Sequence, residues 1–439
     1  MNIRKLVIAA AGAAVGLSAL AAAEVAKADE QFIPLLVYRT GAYAPSGIPI
    51  ANGLRDYYTL INKRDGGVGG VTITFEECET QYKTNLGVEC YEKLKGNGPT
   101  GASLVSPFST GITYQLIPKS AVDGVPILSM GYGRASSADG RVFKWVFNPP
   151  DTYWTQASAV IKYFSRRVGG YDKLKGVKIV HLYHNSAYGK EANPTLEILA
   201  KRYGYKLTLI PVDHPGQEQA SQWRQIRRIK PDFVFMSGWG VMNQVAIKEA
   251  AGIRFPMENF VGNWWSGSDA DVIPAGDGAK GYLSTTFHGA GAGFDVHKDI
   301  IKYVYGGDEA KAHENKIGEV MYNRAIVNAM VAVEGIRTAQ AKFGKKSLKG
   351  EEIRWGLENL DITKDTLGKL GFKDMMAPLK ITCADHETMG PIIIQKWDGA
   401  KWSYASEWLD PMRDVVRPLV EADAAAYAKE NNITPRDCK

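Results

Sequence analysis

The stretch from Ile33 to Gly70, IPLLVYRTGAYAPSGIPIANGLRDYYTLINKRDGGVGG, constrains the fold of this chain more than any other. It opens on a short apolar run ending at Val37, a strand by length and composition. Gly41, Pro45, Ser46, Gly47 and Pro49 then punctuate the chain, so Thr40–Pro49 reads as a loop. From Asn52 to about Asn62, Leu54, Tyr57, Tyr58 and Ile61 recur at helical spacing. Asp65-Gly66-Gly67 stops that helix, and Val71–Phe75 alternates as a second strand. The unit is β-loop-α-β. In doubly wound α/β domains, ligands sit outside the carboxyl ends of the strands, which makes Thr40–Pro49 a candidate ligand wall.

The first residues do not belong to that fold. Arg4 and Lys5 precede an alanine-rich apolar run, Leu6–Ala23, and Ala26-Lys27-Ala28 is a small-x-small cleavage pattern. Residues 1–28 read as a secretory signal peptide cleaved near Ala28. A membrane anchor is the rival, disfavoured because alanine is weakly apolar and the run is marginal for a span. No cysteine follows the site, which argues against a lipid anchor.

About 411 residues remain, enough for two domains. The whole chain carries 53 Lys and Arg against 47 Asp and Glu. Without Arg4, Lys5, Lys27 and Glu24 the balance is 50 against 46, a formal +4. That is too even to favour nucleic acid or an anionic membrane surface as a partner. No later stretch is long and apolar enough to span a bilayer, so no stable membrane insertion is expected.

The four cysteines, Cys78, Cys90, Cys383 and Cys438, are an even number in an exported chain and suggest two disulfides among three possible pairings. Cys78 ends a predicted strand and Cys90 lies on the next helix, which makes a local bridge reasonable. Cys383 and Cys438 would then tie down the C-terminal tail. The spacings match no zinc pattern.

Strand-like and helix-like segments alternate along most of the chain. Ala102–Val105, Val125–Ser129, Lys178–Tyr183, Leu207–Pro211 and Asp232–Met236 read as strands. Gly111–Val122, Thr155–Phe164, Lys190–Tyr203 and Glu319–Phe343 read as helices. Such alternation implies βαβ units and parallel sheets. Near the end, Pro391–Trp397 opens a hairpin with Asp398-Gly399 at its turn. Asn148-Pro149-Pro150-Asp151 interrupts the pattern as an interdomain crossing. The small residues Thr285–Gly293 suggest a second crossing, and Asp374–Pro378 a third. The expected division is lobe 1 over 29–150 plus 287–378, and lobe 2 over 151–286 plus 379–439.

With these elements placed, the chain resembles the exported solute-binding proteins of branched-chain amino acid type ABC uptake systems, the leucine/isoleucine/valine-binding family. The carrying residues are GAYAPSGIPIANG (Gly41–Gly53), INKRDG (Ile61–Gly66), GVPILS (Gly124–Ser129), Tyr188-Gly189 and FVFMSGW (Phe233–Trp239). Their order and spacing cover nearly the whole mature chain. The resemblance implies two doubly wound α/β lobes of the type I periplasmic-binding-protein kind, joined by three crossing strands. These would close over a small ligand by hinge motion. It also implies a periplasmic, monomeric protein without cofactor or metal. Its partners would be a small molecule and the permease subunits of the inner membrane.

Carried over residue by residue, the resemblance puts Tyr43 and Ser46 in the first ligand loop. Ser109 and Thr110 fall at a helix N-terminus suited to a carboxylate. Gly131, Tyr132 and Gly133 form a third loop, and Tyr188, Trp239 and Trp264 come from the second lobe. Amino-acid-binding relatives usually place a carboxylate at the position of Trp264, to pair with the ligand's ammonium. Here the segment is VGNWWSG, Val261–Gly267, with no acid. An unpaired buried ammonium is costly, although Asp151 at the crossing would compensate in part. The implied ligand is a carboxylate with an apolar or aromatic body and no obligatory amino group. Tyr43, Tyr132, Tyr188, Trp239 and Trp264 would form the aromatic walls. A true branched-chain amino acid binder and a ligand sensor for a membrane receptor are the alternatives.

Each single aromatic is as readily core packing as ligand wall, and one of Trp264 and Trp265 is expected to be structural. Arg39 and Arg134 flank the ligand loops as possible carboxylate partners. Ser109 and Thr110 would also serve simply as caps. The seven histidines form no metal or catalytic pattern, and no P-loop, nucleophile elbow or dinucleotide fingerprint is present. Asp385-His386-Glu387 is expected to order a turn, and His181 to be a satisfied core histidine. An enzyme is not expected.

Overall fold

The computed structural model describes residues 29–438, and the signal-peptide reading of residues 1–28 lies outside them. In the first lobe, β1 (Glu30–Val37) and β2 (Thr72–Glu79) pair in parallel, with Ile33 opposite Phe75. β3 (Ile127–Leu128) pairs in parallel with β4 (Val146–Phe147). The expected strand Ala102–Val105 connects the two pairs by single bonds. Ser103 N donates to Phe32 O and Leu128 N to Val105 O, each at 2.9 Å.

The second lobe is built on one sheet. Its strands are β5 (Lys178–His184), β6 (Lys206–Val212), β7 (Phe233–Ser237), β8 (Phe260–Gly262) and β9 (Leu283–Thr286). β10 (Asp361–Ile362) and β11 (Leu379–Lys380) form a separate antiparallel pair. β12 (Ile393–Trp397) and β13 (Trp402–Tyr404) return to the large sheet, whose order is β13-β12-β9-β8-β7-β5-β6. The run from β6 to β9 is parallel, and the β12–β13 hairpin adds antiparallel to β9. The predicted hairpin is present, with Trp397 opposite Trp402.

The fold is therefore α/β with parallel-dominated sheets, and its first lobe is centred on two long helices. Helix Ala44–Asp65 packs against helix Val320–Phe343, whose residues are buried on every face from Val320 to Ile336. A helix buried all round should be apolar throughout, yet this one carries Arg324.

Three segment expectations change. Helix Ala44–Asp65 starts eight residues before the expected Asn52. Pro45 sits in its first turn, where a missing N–H costs nothing, so residues read as loop punctuation form the helix start. Gly47 is needed for contact, since a Cβ there would lie 2.0 Å from Tyr38 O at the end of β1. The expected helix Lys190–Tyr203 divides into Ala187–Lys190 and Asn193–Tyr203, because Pro194 opens the second piece. Asp374–Pro378 does not itself pass between lobes. His288 bridges Met376 beside the second crossing, and the chain passes over between β11 and β12.

The end of the chain straddles the lobes. Helix Arg413–Glu430 packs Val416 and Val420 against Trp154, and Ala424 and Ala428 into the first-lobe core. Of the stretch 379–439 expected in lobe 2, this last helix thus rests largely on lobe 1. Cys383–Cys438 fastens the tail beyond it, and Cys78–Cys90 joins β2 to helix Thr84–Leu94. No helix among the described residues is long and apolar enough to cross a membrane.

Candidate functional site

Between the lobes, beyond the carboxyl ends of β1, β2, β5, β6 and β7, opens a vestibule of about 450 Å³. The first lobe lines it with Tyr43, Tyr82, Ser109 and Gly111, and the second with His184, Tyr188, His214 and Trp239. Tyr43 stacks against Trp239 across the cleft (centroids 6.2 Å, planes 17° apart), and Tyr82 lies 5.7 Å from the same indole. Gln81 and Tyr82 hold positive φ angles of 51° and 59°. That conformation costs about 1–2 kcal/mol per residue and recurs at ligand clamps.

A short polar chain crosses the vestibule. The Tyr43 hydroxyl lies 2.6 Å from His214 Nδ1, and the same nitrogen lies 3.3 Å from His184 Nε2. His184 Nδ1 is in turn 2.8 Å from Ser186 Oγ. With each ring protonated on Nε2, Tyr43 donates to His214 Nδ1 and Ser186 to His184 Nδ1, and the longer His184 Nε2–H contact shares the single lone pair of His214 Nδ1. Burial, aided by His214, pushes the His184 imidazole down to about 4.

Behind the vestibule, fully buried in the core, lies an aromatic cluster. Trp265 stacks on Tyr132 at 4.2 Å and meets Trp239 edge-on at 5.6 Å. Trp264 stacks on Tyr153 at 5.6 Å. Both indole N–H groups of the tryptophan pair donate to the Gly131 carbonyl, at 3.0 and 3.1 Å. Gly131 has φ +68°, and a Cβ there would press on Trp264 at 3.1 Å, so glycine suits this close crossing.

Arg324 closes the floor. Its guanidinium lies over the rings of Trp265 (4.6 Å) and Phe287 (4.9 Å). Nε donates to His288 Nε2 at 3.1 Å and Nη1 to the Trp264 carbonyl, while Nη2 has no partner. The residue is fully buried, and desolvation pushes its guanidinium down to about 9. The indole N–H of Trp239 is also buried without a partner, and the buried hydroxyls of Tyr38 and Tyr132 face each other, that of Tyr153 facing Thr110.

The expected site residues divide into three groups. Tyr43, Ser109, Tyr188 and Trp239 line the vestibule. Gly131, Tyr132 and Trp264 belong to the floor, with Thr110 and Gly133 beside it, where Gly133 N donates to Thr110 Oγ1 at 3.2 Å. Ser109 also caps its helix, accepting from Ile112 N. Ser46, Asp151, Arg39 and Arg134 lie elsewhere. Ser46 is buried in the first turn of helix Ala44–Asp65. Asp151 is fully buried at the crossing with both oxygens unpartnered, and burial, then Glu387, raises its pKa well above the carboxylate range. Arg39 is held bidentately by Glu77 at 2.7 Å, and Arg134 by Asp423 at 2.6 Å, so each guanidinium is taken by a nearer carboxylate.

Both tryptophans of the pair are structural and both wall the floor. Asp385, His386 and Glu387 turn to separate elements, reaching Arg413, Val146 O and Thr152 N. His181 is a satisfied core histidine between Asn193 and Ser237. Tyr38, Tyr82, Tyr153, His184, His214 and Arg324 are beyond the sequence expectation for the site, which left Trp264 and Trp265 as alternatives. For Arg324 the sequence carries a usable signal: a charge inside an apolar helical stripe, with Asn328 one turn later.

Comparison with known proteins identifies this architecture. A family model described as "Periplasmic binding protein" matches residues 30–401, and the chain belongs to that family. A crystal structure described as an ABC transporter permease from the Pseudomonas fluorescens group is 44% identical over 94% of this chain and 100% of its own, with TM-score 0.87. A branched-chain amino acid ABC transporter protein from Thermus thermophilus, with bound valine, is 20% identical over 89% and 99% of the two chains, TM-score 0.73. A solute-binding protein from R. palustris in complex with benzoate is 17% identical over 87% and 97%, TM-score 0.66. A search of curated protein sequences returned no match. The fold is that of type I periplasmic binding proteins of branched-chain amino acid type ABC transporters, a family of solute-binding proteins and not of enzymes. Such proteins deliver small molecules to permeases.

Proposed function

We propose that this protein is an exported solute receptor whose two lobes close over a small carboxylate with an apolar or aromatic body and hand it to an inner-membrane permease. The observation that carries this reading is the composition of the cleft interior. Rings form its walls, its charges are the cations Lys83 and Arg324, and among the described residues no acidic side chain lines the vestibule. An α-ammonium would find no counter-charge there, whereas a flat apolar body would find stacking surfaces. The structural neighbour with bound benzoate supports the same class of ligand. Two disulfides and the leader-like first residues support export.

Closure supplies the mechanism. Tyr43 meets His214 across the cleft, Tyr114 donates to Glu191, and Trp264 and Trp265 donate to Gly131. A ligand touching both lobes favours the state in which these contacts form. The test is a thermal-shift screen followed by calorimetry with amino acids, benzoate- and cinnamate-type acids and short amides, since ligand binding raises apparent stability. Aromatic acids are expected to bind and stabilise. Tight leucine or valine binding with no binding of aromatic acids would overturn the reading in favour of an amino acid receptor.

A further inference from the structure

The floor of the cleft has a donor inventory that points to one kind of ligand group. Its unpartnered atoms are Arg324 Nη2 and Trp239 Nε1, while the buried hydroxyls of Tyr38 and Tyr132 face each other and that of Tyr153 faces Thr110. A guanidinium and an indole N–H can only donate, and a phenol can donate. Buried polar groups are paired in folded proteins, and an orphaned donor marks a place where an acceptor belongs. The phenols of Tyr38, Tyr132 and Tyr153 lie within electrostatic reach of the guanidinium. Tyr132 and the guanidinium also share Trp265, the phenol ring stacked on it at 4.2 Å and the cation over it at 4.6 Å, which brings these two groups to one place.

Arg324 is also a cation without a counter-ion. Its bonds go to an imidazole and a carbonyl, both neutral, and it forms no salt bridge among the described residues. The acid whose charge reaches it, Asp271, is committed to Ser268 and Asn243. The two other arginines near the ligand loops are neutralised by Glu77 and Asp423. A fully buried guanidinium with a free Nη2 is expensive to maintain without an anion.

We propose that Arg324 is the specificity-determining residue of the cleft, receiving the ligand's carboxylate on Nη2, with the Tyr132 hydroxyl, on the ring stacked against the same Trp265, turning to that anion. The inference rests on the acid-binding reading and deepens it. It places the charged end of the ligand at the floor against helix Val320–Phe343. Trp239, Trp264 and Trp265 wall the ring, and the helix N-terminus at Ser109 is left to the vestibule. Charge-assisted bonds to a buried cation then separate an acid from its neutral amide, a difference of about 10- to 100-fold in affinity.

The experiment is calorimetry of the mature chain with benzoate, benzamide and benzenesulfonate, on wild type, Arg324→Gln and Arg324→Lys. Wild type should prefer benzoate to benzamide by about 10- to 100-fold. Arg324→Gln should erase that preference, and Arg324→Lys should restore part of it. Benzenesulfonate binding as tightly as benzoate would still support an anion floor but overturn carboxylate selection. If Arg324→Gln fails to fold, Tyr132→Phe replaces it, expected to weaken benzoate several-fold and leave benzamide unchanged. An unchanged acid preference in both variants overturns the role of Arg324 while leaving an acid receptor in place. If wild type binds none of the aromatic acids, the acid-binding reading fails and this inference with it.

Discussion

The vestibule and the floor of the cleft are built from similar side chains and differ in how their polar atoms are satisfied. In the vestibule, Tyr43, His214, His184 and Ser186 form a closed chain of contacts between 2.6 and 3.3 Å that needs nothing further. At the floor, one nitrogen of a buried guanidinium and an indole N–H lack partners. Buried unpaired donors cost about 1–3 kcal/mol each, so such a pair persists only where something else is gained. The vestibule is complete without ligand and suits a latch. The floor is incomplete without ligand and suits selection.

The floor also supports the fold, and the largest expected effect tests how far these two roles are joined. Trp265 is fully buried, stacks on Tyr132, carries Arg324 over its face and bonds the Gly131 carbonyl. Trp265→Ala should lose about 3–5 kcal/mol of stability, read as a lowered denaturant midpoint with an unchanged slope. A loss under about 1 kcal/mol would mean that the lobes close without this wall, and the floor would then be a ligand surface only.

Much of the fold is legible in the sequence, and the part that is not has a physical reason. The alternation of strands and helices reflects local periodicity, and it placed β5, β7 and the long helix Val320–Phe343 within a residue or two. The Pro45–Pro49 cluster misled because proline in a helix's first turn looks, in sequence, like proline in a loop. Tyr43, Ser109, Tyr188 and Trp239 follow strand ends in a known loop order, and they do line the vestibule. Arg39 and Arg134 flank the expected ligand loops, but partner choice depends on Glu77 and on Asp423, which lies far along the chain. For Arg324 the sequence shows the charge in an apolar stripe but not where it goes. It reaches the floor only because the second crossing brings helix Val320–Phe343 against Trp264 and Trp265, a contact that spacing within one helix does not reveal.

The next effect separates the regions by pH. His184 titrates at about 4 in the folded protein, against about 6.5 when exposed, because burial and then His214 disfavour its charged form. Between those values the unfolded chain binds the extra proton. The stability that His184 contributes is therefore complete above pH 6.5 and is lost as pH falls toward 4. Relative to His184→Gln, wild type should lose about 2 kcal/mol between pH 8 and pH 5 in denaturant unfolding. Equal pH profiles for the two proteins would show that the imidazole is hydrated in solution and that the vestibule is open.

The smallest effect is the most direct test of the latch. Tyr43→Phe keeps the ring on Trp239 and removes only the hydroxyl, and His214 Nδ1 retains His184 as a donor. With no buried acceptor left bare, the loss should be that of one ordinary hydrogen bond, about 0.5–1 kcal/mol. Because this contact forms on closure and lies outside the floor, it should appear as release of a bound aromatic acid faster by about two- to fivefold in stopped-flow displacement. The ratio of benzoate to benzamide affinity should not move. If Tyr43→Phe changed that ratio as much as Arg324→Gln does, the carboxylate would be bound in the vestibule. Mouth and floor would then have exchanged roles.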